Sequence, residues 1–182
     1  PVTKGEIVFL GNSITDGGEW CELLANPKAK NRGISGDTTD GVLFRLNEVT
    51  RSKPAKVFLL IGVNDLSRGV SKDTVYSNIC RIAQKIRKDS PKTKVYVQSI
   101  LPVNESFGLF KNHTNKTADV LWVNAQLKSW CEKEQVQYVD LYSRFKNPDS
   151  ELLNPQLTND GLHLKGEGYL LWLDIIKPYL KK

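Results

Sequence analysis

The chain has 182 residues, of which 40% are hydrophobic and 25% are charged. These values fit one folded domain with a buried core, which we expect to span residues 1–182, and they exclude a disordered or collagen-like chain. Lysine and arginine number 26 against 20 aspartate and glutamate, so the formal net charge is +6. Such a charge affects solubility and the attraction of anions more than the fold.

Membrane-spanning and nucleic-acid-binding proteins are also disfavoured. The longest apolar runs, 57–63 and 169–176, fall well short of the roughly 20 residues that a helical span needs. The basic residues between positions 81 and 94 come without any nucleic-acid module, and we interpret them as a solvated helix face. We expect a soluble protein; the sequence does not decide between the cytoplasm and export with a removed signal, nor does it indicate the oligomeric state.

Short β-rich apolar runs alternate with helical patterns along the whole chain. In chain order, the predicted strands are residues 7–10, 29–33, 57–61, 95–99 and 138–141. The predicted helices are residues 20–24, 39–49, 72–88, 118–134 and 166–179. Alternating strands and helices imply a parallel sheet with right-handed crossovers and helices on both faces. The sequence therefore predicts a three-layer α/β/α sandwich with a five-stranded parallel sheet.

Ligands of such sheets bind where the strands end, so the segments that follow the strands are the first place to look for a site. These segments are rich in Gly, Asn, Ser and Asp: GNSITDGG at 11–18, ISGDTT at 34–39, GVND at 62–65 and, beyond the fifth strand, DGLH at 160–163. Parallel strands all end at one edge of the sheet. We therefore expect the four segments to meet there.

Only two histidines are present, His113 and His163. His163 follows Asp160 by three residues, a spacing that in a helical turn lets the carboxylate accept from Nδ1–H and leaves Nε2 free to take a proton. A serine hydroxyl becomes a good nucleophile only when such a base removes its proton, and Ser13 is the hydroxyl at the same edge. The sequence predicts a catalytic triad of Ser13, His163 and Asp160.

The same edge offers donors for an oxyanion. They are the backbone N–H groups of Ser13 and Gly36 and the side-chain amide of Asn64. The neighbouring Asp65 is expected to cap the helix that follows the third strand. Motifs for a zinc protease site, a dinucleotide and a P-loop are absent from the sequence, so we expect neither a metal nor a cofactor.

Four blocks at these strand ends resemble those of the SGNH (GDSL-type) hydrolases, in the order in which that family carries them: GNS at 11–13, GISGDTT at 33–39, GVND at 62–65 and DGLH at 160–163. The resemblance implies the flavodoxin-like fold of the family, with Ser13 as nucleophile, Gly36 and Asn64 as oxyanion donors, His163 as base and Asp160 as the residue that orients it. One position departs from the pattern: Asn12 stands where the family commonly has Asp, and we expect it to support the turn by hydrogen bonding. An α/β-hydrolase elbow is disfavoured because Thr15 replaces its second glycine.

The predicted function is a serine esterase acting on short acyl esters, with acetyl esters of small molecules or carbohydrates as the leading class. The resemblance leaves other activities open: a lysophospholipase or platelet-activating-factor acetylhydrolase-like lipase, an acyltransferase with the same intermediate, or a non-catalytic binding module.

Three aromatic residues are candidates for contacts with the substrate. They are Trp20, for which core packing is an equal alternative, and Phe107 and Phe110 in the long connection after the fourth strand. We interpret His113, in the same connection, as an exposed loop histidine. The three cysteines are widely spaced and odd in number, and we expect them to be buried thiols.

Overall fold

A computed structural model of the chain describes residues 4–180. Its five strands are β1 (Ile7–Gly11), β2 (Ala29–Gly33), β3 (Lys56–Leu60), β4 (Lys94–Gln98) and β5 (Gln137–Val139). They form one sheet in the order β2-β1-β3-β4-β5, and every pairing is parallel. The predicted five-stranded parallel sheet is confirmed, with strand ends displaced by two residues at most.

Within the described residues, ten helices connect and cover the strands. They are α1 (Ser13–Asp16), α2 (Trp20–Leu23), α3 (Thr39–Arg45), α4 (Asn47–Thr50), α5 (Val63–Ser67), α6 (Lys72–Asp89), α7 (Lys111–Thr114), α8 (Thr117–Glu134), α9 (Tyr142–Phe145) and α10 (Gly166–Leu180). Two single 3-10 turns, Glu105–Phe107 and Pro155–Leu157, lie in the connections before α7 and α10. None of the helices within residues 4–180 combines the length and the apolar character of a transmembrane helix.

One face of the sheet carries an aromatic row that α2 and α10 cover. Phe9, Phe58 and Tyr96 stand in register on β1, β3 and β4 and stack at 5.2 and 4.4 Å between ring centroids. Trp20 of α2 stacks on Phe9 at 3.9 Å, and Trp172 of α10 packs edge-on against Trp20 at 4.8 Å. Large flat side chains thus fill the space between the sheet and these two helices.

The other face is covered by α3, α6 and α8, with α6 packed between the other two. The helix α6 begins after Ser71, whose side chain accepts from the N–H of Thr74, as an N-cap serine does. Its buried stripe contains Val75, Ile79 and Ile86, at the helical spacing that predicted a core face. With helices on both faces, the three-layer α/β/α sandwich is confirmed.

The structure differs from the prediction mainly in its short helices. The predicted helix 39–49 is two helices, α3 and α4, which meet at Leu46. No bounds were predicted for α1, α5, α7 and α9, because segments of four or five residues are too short to show a 3.6-residue period. Three of them, α1, α5 and α9, begin two or three residues after a strand end, which places their first residues at the edge where a ligand is expected.

The cysteines only partly follow the prediction. Cys80 and Cys131 are buried, and burial raises the pKa of the Cys80 thiol to about 11 and that of Cys131 to about 12. Cys21 is exposed, so the expectation of a buried thiol is wrong there. The helix α2 turns Trp20 towards the core, and the next residue along a helix points to a different side.

Candidate active site

Ser13 is the first residue of α1, directly after the cap residue that follows β1. Asn12 is that cap: its backbone is extended, and its Oδ1 accepts from the N–H of Ile14 at 3.0 Å. Asparagine is favoured here because its short side chain reaches the first free N–H groups of a helix. The cap fixes the turn that carries the hydroxyl of Ser13 to the end of the sheet.

The structure brings Ser13, His163 and Asp160 into one hydrogen-bonded line. Ser13 Oγ lies 3.1 Å from His163 Nε2, although the two residues are 150 positions apart in the chain. On the other side of the ring, His163 Nδ1 lies 2.8 Å from Asp160 Oδ2. Because a carboxylate can only accept, Nδ1 carries the proton and Nε2 is left as an acceptor for the hydroxyl of Ser13.

The turn before α10 prepares Asp160 for this contact. Its Oδ1 accepts from the backbone N–H groups of Leu162 at 2.9 Å and His163 at 2.7 Å. Burial alone would raise the pKa of Asp160, but the hydrogen bonds from His163 and Leu162 outweigh it and hold that pKa below its usual value. Gly161, between Asp160 and Leu162, has φ of +83°, and a Cβ there would lie 2.1 Å from the carbonyl oxygen of Asn104. Only glycine fits that position.

Two backbone N–H groups beside Ser13 are free to donate. Ser13 and Gly36 both border the same cavity, and within residues 4–180 neither N–H donates to another residue. The N–H of Ser13 is one of the unpaired donors at the start of a helix. Gly36 has φ of +78°, a left-handed conformation that glycine adopts without strain.

The third predicted donor, Asn64, lies in α5 and is held at both ends of its amide. Its Nδ2 donates to the carbonyl oxygen of Asp37 at 2.8 Å, and its Oδ1 lies 3.1 Å from His113 Nε2. The amide nitrogen of an asparagine carries two N–H groups, and in Asn64 one of them donates to the carbonyl oxygen of Asp37. Asn64 also borders the cavity. A second N–H is therefore available there.

A partly buried ion pair holds the loops after β1 and β2 together. Arg45 Nη2 lies 2.8 Å from Asp37 Oδ2, and the same guanidinium donates to the carbonyl oxygens of Gly11 at 3.2 Å and Arg32 at 2.9 Å. A planar guanidinium suits such simultaneous contacts. Arg45 thus links the residue before Asn12 to the loop that carries Gly36.

Asp65 has a different role from the one predicted. In α5 no side chain caps the helix start; instead, Asp65 accepts from the backbone N–H of Thr39 at 3.0 Å and from its hydroxyl at 2.6 Å. The carboxylate therefore binds the first turn of α3, a favourable place for a negative charge. Burial raises the pKa of Asp65 in spite of these bonds. The contact joins α5, with Asn64, to α3.

A cavity of about 470 Å³ lies against the hydrogen-bonded relay formed by Ser13, His163 and Asp160. Its lining residues are Ser13, Ser35, Gly36, Asn64, Ser67, Arg68, Phe110, Asn112, His113, Leu162 and His163. No acidic side chain is among these, and Arg68 supplies a cation that donates to the carbonyl oxygen of Gly36 at 2.8 Å. A second cavity, of about 440 Å³, borders Lys94 and Gln137, the first residues of β4 and β5, at the edge of the sheet opposite to Ser13. None of the predicted site residues lines it.

The three candidate aromatic residues have different positions. Phe110 borders the cavity, with its ring 5.1 Å from that of His163. Phe107 lies in the 3-10 turn before α7 and does not border the cavity. The prediction that Trp20 contacts substrate is wrong: it is 1% exposed, and its Nε1 donates to the carbonyl oxygen of Thr15. Its large ring is needed in the core between the sheet and α10.

His113 was misjudged from the sequence. It is half-buried, borders the cavity and contacts Asn64, whereas we expected an exposed loop histidine. Burial, followed by the nearby His163 and Arg68, lowers the pKa of His113. The one signal in the sequence is that its connection leaves the same sheet edge as the other loops.

Among the residues described, no three His, Cys, Asp or Glu side chains are grouped as a metal site would need.

Comparisons with known proteins identify the family of the chain. The model of the GDSL-like Lipase/Acylhydrolase family matches residues 9–171. The chain belongs to this family. As a GDSL-family protein it is a carboxylic ester hydrolase, and the resemblance stated from the sequence is confirmed.

Relatives of the GDSL-family protein are similar over most of its length. Platelet-activating factor acetylhydrolase IB subunit alpha2 from Rattus norvegicus is 29% identical over 170 residues, which is 90% of this chain and 71% of the relative. A crystal structure of a GDSL-like lipase from Bacteroides thetaiotaomicron has a TM-score of 0.84 at 28% identity, with 96% of this chain and 87% of that one covered. A lipase/acylhydrolase from Enterococcus faecalis shares the fold, with a TM-score of 0.80 at 23% identity and coverage of 97% and 95%.

Proposed function

We propose that the protein is a serine esterase that hydrolyses short-chain acyl esters, above all acetyl esters, through a covalent acyl-enzyme on Ser13. The observation that carries the proposal is the continuous hydrogen-bonded line from Ser13 through His163 to Asp160 at the wall of the cavity. Such a line is what a serine hydroxyl requires for activation.

In the first half-reaction, Ser13 Oγ attacks the carbonyl carbon of the ester while His163 Nε2 takes the hydroxyl proton. Asp160, with its lowered pKa, stays ionised and stabilises the imidazolium that forms. The carbonyl oxygen becomes an oxyanion, for which the N–H groups of Ser13 and Gly36 and the Nδ2 of Asn64 are the proposed donors. The C–O bond to the alcohol then breaks, and His163 gives its proton to the leaving alkoxide.

In the second half-reaction, His163 removes a proton from water, which attacks the acyl carbon bound to Ser13. The same donors hold the second oxyanion, and the intermediate collapses to release the acid. His163 returns the proton to Ser13 Oγ. The cycle consumes one ester and one water and leaves every side chain in its starting state.

The cavity favours a small acyl group on a polar alcohol. Two apolar side chains, Phe110 and Leu162, border it, while Ser35, Ser67 and Asn112 add polar groups. The acetylhydrolase relative at 29% identity also supports hydrolysis of acetyl esters. It equally supports a second candidate, an acetylated phospholipid of the platelet-activating-factor type.

A substrate panel tests the proposal. Hydrolysis of p-nitrophenyl acetate, butyrate, octanoate and palmitate would be measured beside acetylated oligosaccharides and an acetylated ether phospholipid. We expect the specificity constant kcat/KM to fall as the acyl chain lengthens. The ratio between the sugar and phospholipid esters decides between the two substrate classes, and acyl transfer to an added sugar alcohol would identify a transferase.

Ser13 itself is tested with a matched variant. An organophosphonate should add to the native protein at one site, seen as a mass shift of the intact chain, and should not add to Ser13→Ala. The Ser13→Ala protein should be folded, with a circular dichroism spectrum like that of the native chain, and should lose turnover. Equal rates of p-nitrophenyl acetate hydrolysis by the two proteins would refute the mechanism.

A further inference from the structure

We propose that His113 is a positioning residue for the oxyanion site: it donates from Nε2 to Asn64 Oδ1 and thereby turns the Nδ2 of Asn64 towards the reacting carbonyl. The proposal rests on the proposed function, since it concerns the donor that the esterase mechanism uses. The distance of 3.1 Å between Nε2 and Oδ1 and the place of both residues in the cavity wall carry it.

An asparagine donor faces a problem that a backbone N–H does not. Its amide oxygen and nitrogen have nearly the same shape, and a half-turn about the last bond exchanges them. In one orientation the group donates to an oxyanion; in the other it presents a carbonyl oxygen and repels it. Asn64 therefore works as a donor only if its surroundings select one of the two orientations.

Two neighbours make that selection. The carbonyl oxygen of Asp37 can only accept, so it requires Nδ2 on its side, at 2.8 Å. Opposite it, Asn64 Oδ1 can only accept, so the His113 nitrogen at 3.1 Å must carry a proton. A half-turn of the amide would place oxygen against the oxygen of Asp37 and N–H against the N–H of His113. His113 thus adds a second unfavourable contact, besides that with Asp37, to the orientation of the Asn64 amide that cannot donate to an oxyanion.

The surroundings of His113 keep its ring in place. Its backbone N–H donates to the carbonyl oxygen of Phe110 at 2.7 Å, and the Phe110 ring stands edge-on to the imidazole at 6.0 Å. The short helix α7, which carries the ring, packs against α5, which carries Asn64. The connection between β4 and α8 therefore reaches the catalytic edge and holds its side-chain donor.

The same contact prevents Nε2 of His113 from acting as a general base. A general base needs a free lone pair on the nitrogen that faces the substrate. Nε2, the atom that meets Asn64, is already a donor, because two acceptors do not bind one another. Through Nε2, His113 contacts Asn64, whereas His163 Nε2 contacts Ser13 directly.

Kinetics of three variants test the inference. His113→Leu removes the donor and should lower kcat for p-nitrophenyl acetate about tenfold, the effect of leaving one amide oxygen without its partner, with KM changed less than about twofold. His113→Gln, whose amide nitrogen reaches close to the place of Nε2, should restore most of kcat. Lys111→Ala, an exposed change in the same helix α7, is the matched control and should keep native kcat.

A double-mutant cycle separates positioning from general damage to the loop. In an Asn64→Ala background the partner of His113 is gone, so His113→Leu should lower kcat no further. An equal loss of kcat in both backgrounds would overturn the inference, as would a native kcat in His113→Leu or a failure of His113→Gln to recover activity.

A readout without catalysis distinguishes this inference from the esterase proposal. The side-chain NH₂ signals of Asn64 in an ¹⁵N–¹H spectrum, identified by their loss in Asn64→Ala, should move in His113→Leu and stay in place in Lys111→Ala. Unmoved signals would refute the contact itself. If the signals move while Ser13→Ala keeps full hydrolysis, the contact stands and the serine mechanism fails.

Discussion

Replacing Asp160 by asparagine tests the relay at its most demanding point. The carboxylate accepts three N–H groups: the backbone ones of Leu162 and His163 at Oδ1 and the ring Nδ1 of His163 at Oδ2. In Asp160→Asn the amide oxygen can keep both backbone contacts, so the turn should survive. The amide nitrogen then faces His163 Nδ1, and because it is a donor, the ring must accept there.

The tautomer of His163 is therefore reversed. With Nδ1 as acceptor, the ring proton moves to Nε2, 3.1 Å from Ser13 Oγ, and the base can no longer take the proton of the hydroxyl. Loss of the correct tautomer in a serine triad lowers kcat about 10⁴-fold, which corresponds to about 5.5 kcal/mol of transition-state stabilisation. We expect a loss of this size with KM little changed.

The assay is steady-state hydrolysis of p-nitrophenyl acetate, with the phosphonate reaction at Ser13 as a second measure of the nucleophile. Thermal unfolding provides the control, since the retained backbone contacts should keep the change in unfolding free energy to about 1–3 kcal/mol. A folded Asp160→Asn protein with kcat within tenfold of native would show that Asp160 does not select the tautomer of His163.

Three further predictions concern residues around the site. Trp20→Phe replaces a core ring by a smaller one and removes its hydrogen bond to Thr15. It should lower the free energy of unfolding by about 1–3 kcal/mol, visible as a lower Tm, and leave KM unchanged. A raised KM would indicate that Trp20 contacts the substrate. Arg68→Gln should reduce about two- to fivefold the preference, in kcat/KM, for 4-acetoxybenzoate over the neutral 4-acetoxybenzamide, and an unchanged ratio would exclude a role in charge selection. The ring C–H of His113, told apart from that of His163 by its loss in His113→Gln, should titrate by NMR below the ordinary histidine pKa of about 6.5. As the pH falls below about 6.5, His113 is protonated in the unfolded chain before it is protonated in the folded one, which lowers the free energy of unfolding. His113→Gln should make this loss of stability smaller. A measured pKa above 6.5 for His113 would contradict the burial of the ring.

The sheet and its long helices were predictable because each carries its own pattern. The strand β3 is buried along its whole length and is apolar from Val57 onward, as a central parallel strand must be. The helix α6 repeats apolar residues at helical spacing and begins after a capping serine. Periodicity and end signals are local properties, so one sequence contains them in full.

The site was predictable only in part, for a physical reason. Parallel strands bring all their following loops to one edge, which accounts for the approach of Ser13 to His163 across 150 residues. No such rule fixes the path of the long connection before α8. His113 is brought to Asn64 by a sequence of turns within residues 99–116, including a left-handed Phe110, and no periodic pattern marks them.

In this chain the turn before the nucleophile is capped by a neutral acceptor, Asn12. The residue is fully buried, and its Oδ1 makes the cap bond to Ile14, which is the supporting role expected where the SGNH family commonly has Asp. Its Nδ2 is one of two buried side-chain atoms in residues 4–180 without a hydrogen-bond partner, a cost of about 1–3 kcal/mol. A carboxylate would avoid that unpaired donor but would bury a negative charge behind Ser13, which is itself expensive. Since either side chain can accept the N–H of Ile14 that the cap bond uses, we expect Asn12→Asp to change the stability of the turn and to leave Ser13 at the start of α1.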